Sequence, residues 1–161
     1  MPGWTTSDIP DLTSRRAVVT GANSGLGRVT ARELARRGAH VVLTARDSAK
    51  GAEAVRRIRD EVPDASVEPG LLDLADLSSV RTFAAEVGAE PLDLLVNNAG
   101  VMALPRRTTV DGFELQLATN HLGPFALTGL LLPALLRRPG GRVVTVSSML
   151  HWFGSLDFGD L

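Results

Sequence analysis

The chain has 161 residues, 44% of them hydrophobic, and a net charge of −1. A chain of this size reads as one domain burying about 70% of its unfolded surface, and without a basic run it has no footprint for nucleic acid. It has no cysteine, which excludes disulfides and thiolate chemistry and fits a reducing compartment, so a cytoplasmic location is expected.

The opening residues, "MPGWTTSDIPDLTSRR", carry acids and prolines but no apolar core, so no signal peptide is expected. Residues 1–14 read as an arm lying over a domain of 15–161. A first apolar run, "AVVT" (17–20), has the length of a strand buried on both faces. A helix is expected over 25–37, where Leu26, Val29, Leu34 and Ala35 share a face and Gly38 marks the stop. "VVLTA" (41–45) reads as the second strand. Val55, Ile58 and Val62 then recur at helical spacing within 48–62, and "SVEPGLL" (66–72) is a weaker strand. A third helix spans 76–88, with Leu77, Val80, Phe83, Ala84 and Val87 on one side; "LDLLVN" (92–97) follows as a strand. A long fourth helix is expected over 111–136. Its stretch "FALTGLLLPALL" (125–136) is too short to span a bilayer and reads as a buried helix, so no transmembrane segment is expected. The strand "VVTVS" (143–147) closes the series. Strands alternating with helices require right-handed parallel crossovers, which predicts an α/β doubly wound sheet with ligands outside the carboxyl ends of the strands.

The first strand ends in "TGANSGLG", Thr20 to Gly27. Glycines at a strand-to-helix turn permit positive φ, let a backbone approach a pyrophosphate, and aim helix amides at negative charge. Gly21, Asn23, Ser24, Gly25, Leu26 and Gly27 are therefore the candidate phosphate cradle; the alternative is a plain tight turn. The spacing is GxxxGxG, not the GxGxxG of the general dinucleotide fingerprint.

That spacing after a threonine, with "NNAG" (97–100), "TNHLGPF" (119–125) and "VTVSS" (144–148), resembles the short-chain dehydrogenase/reductase family. "DGFELQLATNHLGPFALT" and "SSMLH" look most like its retinol-dehydrogenase-like branch. The resemblance runs from about residue 4 to the end of the chain. It implies a Rossmann-type three-layer α/β/α fold with strand order 3-2-1-4-5. The reaction it implies is hydride transfer between a nicotinamide and a small alcohol, ketone or aldehyde.

At the end of the second strand an acid would bind the ribose 2′-hydroxyl of NAD. Here Ala45 holds that place and Arg46 comes next, so Arg46 either pairs with the 2′-phosphate of NADP or opens a helix in solvent. NADP is favoured and NAD stays open; Asp47 is the expected helix N-cap. The resemblance gives the Asp73 carboxylate to the adenine amino group with the Leu74 amide beside it; the alternative for Asp73 is an N-cap. By the same resemblance Asn97 braces the central sheet, Ala99 and Gly100 let the cofactor pass closely, and Asn120 holds a water of a proton relay through its backbone. Read alone, Asn120 is a satisfied core asparagine on an apolar helix. Ser148, the second serine of "SS", is by resemblance the donor to the substrate carbonyl. No Gly-x-Ser-x-Gly elbow surrounds it, which disfavours a hydrolase nucleophile. His40 and His151 have no partners at metal-ligand spacing, so no metal site is expected.

The family's acid is a tyrosine in Tyr-x-x-x-Lys, and this chain has no tyrosine. Its one lysine, Lys50, lies in the second helical segment and cannot take that role. The tail "HWFGSLDFGDL" resembles the start of the longer loop of the retinol-dehydrogenase-like branch. The chain is therefore expected to be an amino-terminal portion of the family domain, with its fifth strand left as an edge. His151, three residues after Ser148, is the one candidate substitute acid. A non-catalytic dinucleotide-binding or interaction module is the competing reading, and a homo-oligomer stays open.

Overall fold

The computed structural model describes residues 3–155 and 159. Leu161 lies outside the described residues. The elements alternate as expected: β1 (Arg16–Val19), α1 (Gly25–Arg36), β2 (His40–Ala45), α2 (Ser48–Glu61), β3 (Val67–Leu71), α3 (Leu77–Val87), β4 (Leu94–Asn97), α4 (Leu115–Leu117), α5 (Gly123–Leu136) and β5 (Arg142–Thr145). Short 3-10 turns cover Thr6–Asp8 and Met149–Phe153, and a π turn, Ala118–Leu122, joins α4 to α5. The five strands form one parallel sheet in the order β3-β2-β1-β4-β5.

Adjacent valines of the short strands point to opposite faces, which is why the runs are continuously apolar rather than alternating. Val19, Val41 and Leu43 pack with Ala31 and Ile58, the layer of α1 and α2. Val18, Val42 and Leu95 pack with Phe83, Leu127 and Leu131, the layer of α3 and α5. At the amino ends of the strands, buried Asp93 accepts the Arg16 amide at 2.9 Å and the Arg15 guanidinium at 2.7 Å. The arm lies against the end of α1, where the Leu12 amide donates to Arg37 O at 2.7 Å and the Arg37 guanidinium reaches Thr6 and Ser7 carbonyls.

Three expectations are corrected. The buried face of α1 is Gly27, Ala31 and Ala35, while Leu26 and Val29 are exposed. Small side chains let this helix lie close on the sheet, so its contact face is marked by absence of bulk. The fourth helix does not begin at 111. Residues 107–115 form a hairpin with a Thr108–Glu114 bridge, and Gly112 sits at φ 86. The helix starts only where Glu114 caps the amides of Gln116 and Leu117, at 2.7 and 2.9 Å. Finally, α5 is buried on one side alone: Leu127, Leu131, Ala134 and Leu135 are covered, but Phe125, Leu130, Leu132 and Leu136 are exposed. All four residues of β5 are exposed as well, at the free edge of the sheet.

Candidate functional site

The turn after β1 is stitched to the end of β4. Thr20 is fully buried, and its Oγ1 accepts the amides of Asn98 and Ala99, each at 3.0 Å. The Asn98 amide group donates back to Thr20 O at 2.8 Å. On the other side the Gly21 amide donates to Thr44 Oγ1 at 3.3 Å and the Ala22 amide to Thr44 O at 2.9 Å. The glycine turn is thus clamped between β2 and β4. Gly27 permits the closure, since a Cβ there would lie 2.5 Å from Asn98 Nδ2 and 2.8 Å from Gly21 O. Gly25 has a different reason: no protein atom lies within 4 Å of its missing Cβ, but its φ is 54. Ser24 makes no side-chain cap, and the first amides of a helix lack intrahelical partners, so the amino end of α1 is open to an anion.

A cleft of about 420 Å³ opens at the carboxyl ends of the strands. Of the residues expected to bind a cofactor, Gly21, Asn23, Ser24, Leu26, Gly27, Arg46, Asp73, Leu74, Ala99 and Gly100 line it. Gly25 and Asn97 are not in the lining. Among the described residues, Arg46 is the one cation of the lining and Asp73 the one anion. Arg46 is exposed just past β2, whereas the Asp47 side chain turns back to accept the Lys50 amide at 3.0 Å and caps α2. Asp73 is not a helix cap. That role falls to Asp76, which accepts the Ser78 hydroxyl at 2.7 Å and the amides of Ser78 and Ser79 at 2.8 and 3.3 Å; these bonds, the hydroxyl's first, hold its carboxyl below the usual carboxylate range. Asp73 accepts the Ala75 amide at 2.9 Å beside the cleft, and its own amide donates to Ser79 Oγ at 2.9 Å.

Asn97 is buried at the end of β4, and its side chain leaves the sheet for α5. Its Nδ2 donates to Thr128 Oγ1 at 3.0 Å, and Thr128 in turn donates to Pro124 O at 2.7 Å. The bracing between strands is the work of Asn98 and Thr20. The doubled asparagine and the threonine before Gly21 were the available signals for that pair.

Asn120 sits in the π turn and is exposed, not a core asparagine. Its side-chain amide closes two bonds with the backbone of one residue: the Val101 amide donates to Oδ1 and Nδ2 donates to Val101 O, both at 2.8 Å. It thereby holds the lip of the cleft, which Val101 and Thr119 line. A π turn inserted in an α-helix is a common device at functional sites. Ser148 is exposed past β5, and Val146, two residues before it, completes the lining. Among the described residues no three metal-ligating side chains cluster, and no helix is long and apolar enough to cross a membrane.

The family model of the short chain dehydrogenases matches residues 15–156. The chain belongs to the short-chain dehydrogenase family. It is 47% identical over 152 residues to human retinol dehydrogenase 13, covering 93% of this chain and 46% of that protein. A crystal structure of a protein from Mycobacterium paratuberculosis superposes with a TM-score of 0.86 at 54% identity, covering 99% of this chain and 55% of that one. A short-chain dehydrogenase from Sphingobium yanoikuyae in complex with NADPH gives a TM-score of 0.74 at 27% identity, covering 86% and 55%. The chain spans about half the length of the curated relatives it matches.

Proposed function

We propose that residues 15–161 form the dinucleotide-binding part of an NADP(H)-dependent oxidoreductase acting on an alcohol or a ketone or aldehyde, with residues 1–14 as an arm. The bound nicotinamide would supply or accept the hydride. The chain's own groups place it. The open amides at the start of α1 receive the pyrophosphate, Asp73 and Leu74 meet the adenine, and Ala99 and Gly100 leave room along β4. Asn120 fixes the Val101 backbone at the lip, and Ser148 donates a hydrogen bond to the substrate oxygen.

The observation that carries the reading is the division of labour after β2. Asp47 is spent as a helix cap, while Arg46 lies exposed in the cleft lining just past β2, where a guanidinium is matched to a 2′-phosphate. A charged hydrogen-bonded contact is worth about 1.5–3 kcal/mol, roughly 10- to 150-fold in affinity. Arg46→Ala should weaken NADPH binding by that factor and leave NADH binding within about twofold, as read by quenching of protein fluorescence. Unchanged NADPH affinity would overturn the assignment.

One observation favours a second reading, a dinucleotide-binding module without turnover: the chain contains no tyrosine. Loss of a positioned general acid costs about 10²- to 10⁴-fold in rate. NADPH binding with a rate depressed to that extent distinguishes this module from a complete enzyme.

A further inference from the structure

His151 stands three residues past Ser148 and bonds to its carbonyl. The Ser148 carbonyl receives two bonds from this one residue: the His151 backbone amide at 3.2 Å and its Nδ1 at 2.5 Å. A carbonyl oxygen only accepts, so Nδ1 carries the hydrogen. The imidazole is also held on a second side by the Trp152 ring, with centroids 5.3 Å apart and planes tilted by 41°. The 3-10 turn Met149–Phe153 is therefore closed on Ser148 by a backbone and a side-chain bond together. With both lone pairs of its carbonyl occupied, the Ser148 peptide plane has little freedom, and the directions open to its Oγ are narrowed to those that one backbone conformation allows.

We propose that His151 is a positioning residue that clamps the Ser148 peptide through its Nδ1–H and so aims the serine at the substrate oxygen. The proposal rests on the reading of Ser148 given above. It assigns no proton transfer to the imidazole: Nδ1–H is committed to a backbone carbonyl, and either the neutral Nδ1–H tautomer or the imidazolium makes that bond. Asparagine carries a donor at the place of Nδ1, so His151→Asn should preserve the clamp. Glutamine extends its donor to the place of Nε2, and His151→Gln should lose it, as should His151→Ala.

The test has two arms. In ¹⁵N-labelled protein, three histidine rings give a small spectrum, and His151 is assigned by its loss in His151→Asn. Above the titration range the neutral ring should be the Nδ1–H tautomer; a ring mainly in the Nε2–H form overturns the proposal. The second arm follows NADPH oxidation with a panel of aldehydes. A neutral hydrogen bond is worth about 1 kcal/mol. His151→Ala and His151→Gln should therefore lose about fivefold in kcat with KM nearly constant, while His151→Asn stays within twofold with an unmoved pH profile. Equal rates in all four proteins overturn the proposal, and so does a pH limb that vanishes in His151→Asn, because that marks a proton-transfer role. If the parent chain shows no turnover but binds NADPH, the catalytic reading of Ser148 fails in this chain, and the tautomer alone decides the clamp.

Discussion

At the scale of single residues, the site depends on small hydroxyls more than on charges. Thr20 illustrates this. Its methyl sits in the core of the turn, and its Oγ1 takes two backbone amides that have left the β4 ladder. Thr20→Val keeps the shape and removes the acceptor, so the part-buried Ala99 amide is left unpaired. An unsatisfied buried donor costs about 1–3 kcal/mol. Urea unfolding should show Thr20→Val destabilised by that amount and Thr20→Ser much closer to the parent. Equal stability of the valine variant would mean that the hydroxyl does not hold the turn. Asn97 works in the same way at longer range, since its amide reaches Thr128 and fixes α5 to the end of β4.

At the scale of elements, α3 shows how packing positions the cleft. Asp76 caps its start, and the Asp111 carboxylate from the hairpin accepts the Leu77 amide at 2.8 Å. Phe83, 2% exposed, then seats its ring over β3, where Gly70 leaves the room: a Cβ there would lie 2.6 Å from the ring. Removing a ring so enclosed leaves a cavity, and Phe83→Ala should cost about 3–5 kcal/mol. Phe83→Leu should cost clearly less. Denaturant midpoints measure both, and a loss under 1 kcal/mol (about a third of the least expected) would show that the α3 layer collapses onto the gap. Leu72, Asp73 and Leu74 connect β3 to α3 and line the cleft, so this packing bears on that wall of it.

At the scale of the whole molecule, the two ends of the sheet have different tasks. The carboxyl ends open into the cleft, and the amino ends are closed by Asp93 and its arginines. Burial of the Asp93 carboxyl raises its pKa. The Arg16 amide, the Arg15 guanidinium, and the charges of Arg138 and Arg15 outweigh that effect and hold it below the usual carboxylate range. A folded-state value depressed in this way contributes stability above the unfolded value of about 3.9, and that stability is lost as pH falls through the folded value. Asp93→Asn should therefore be less stable than the parent near pH 7, with the gap closing below about pH 4. Thermal melts across pH 3–7 read the difference directly; a gap that persists at the acid end would assign the loss to packing rather than charge.

Much of this was determined by the sequence itself. Continuous apolar runs marked the strands, and glycine spacing marked the turn that lines the cleft, with Arg46 beside Ala45 past the second strand. These are local signals, readable because each depends on a few neighbouring residues. Tertiary structure alone decided the rest. The contact face of α1 is glycine and alanine because the helix lies close on the sheet, and no hydrophobic stripe announces small residues. The fourth helix begins at 115 because Glu114 caps it and Asp111 is drawn away to α3, a bond across 34 positions of sequence. Asn98 ties the glycine turn to the end of β4 through Thr20, a partner 78 residues distant. Pairings of that range are set by how the strands are ordered in the sheet, and the chain acquires that order only when it folds.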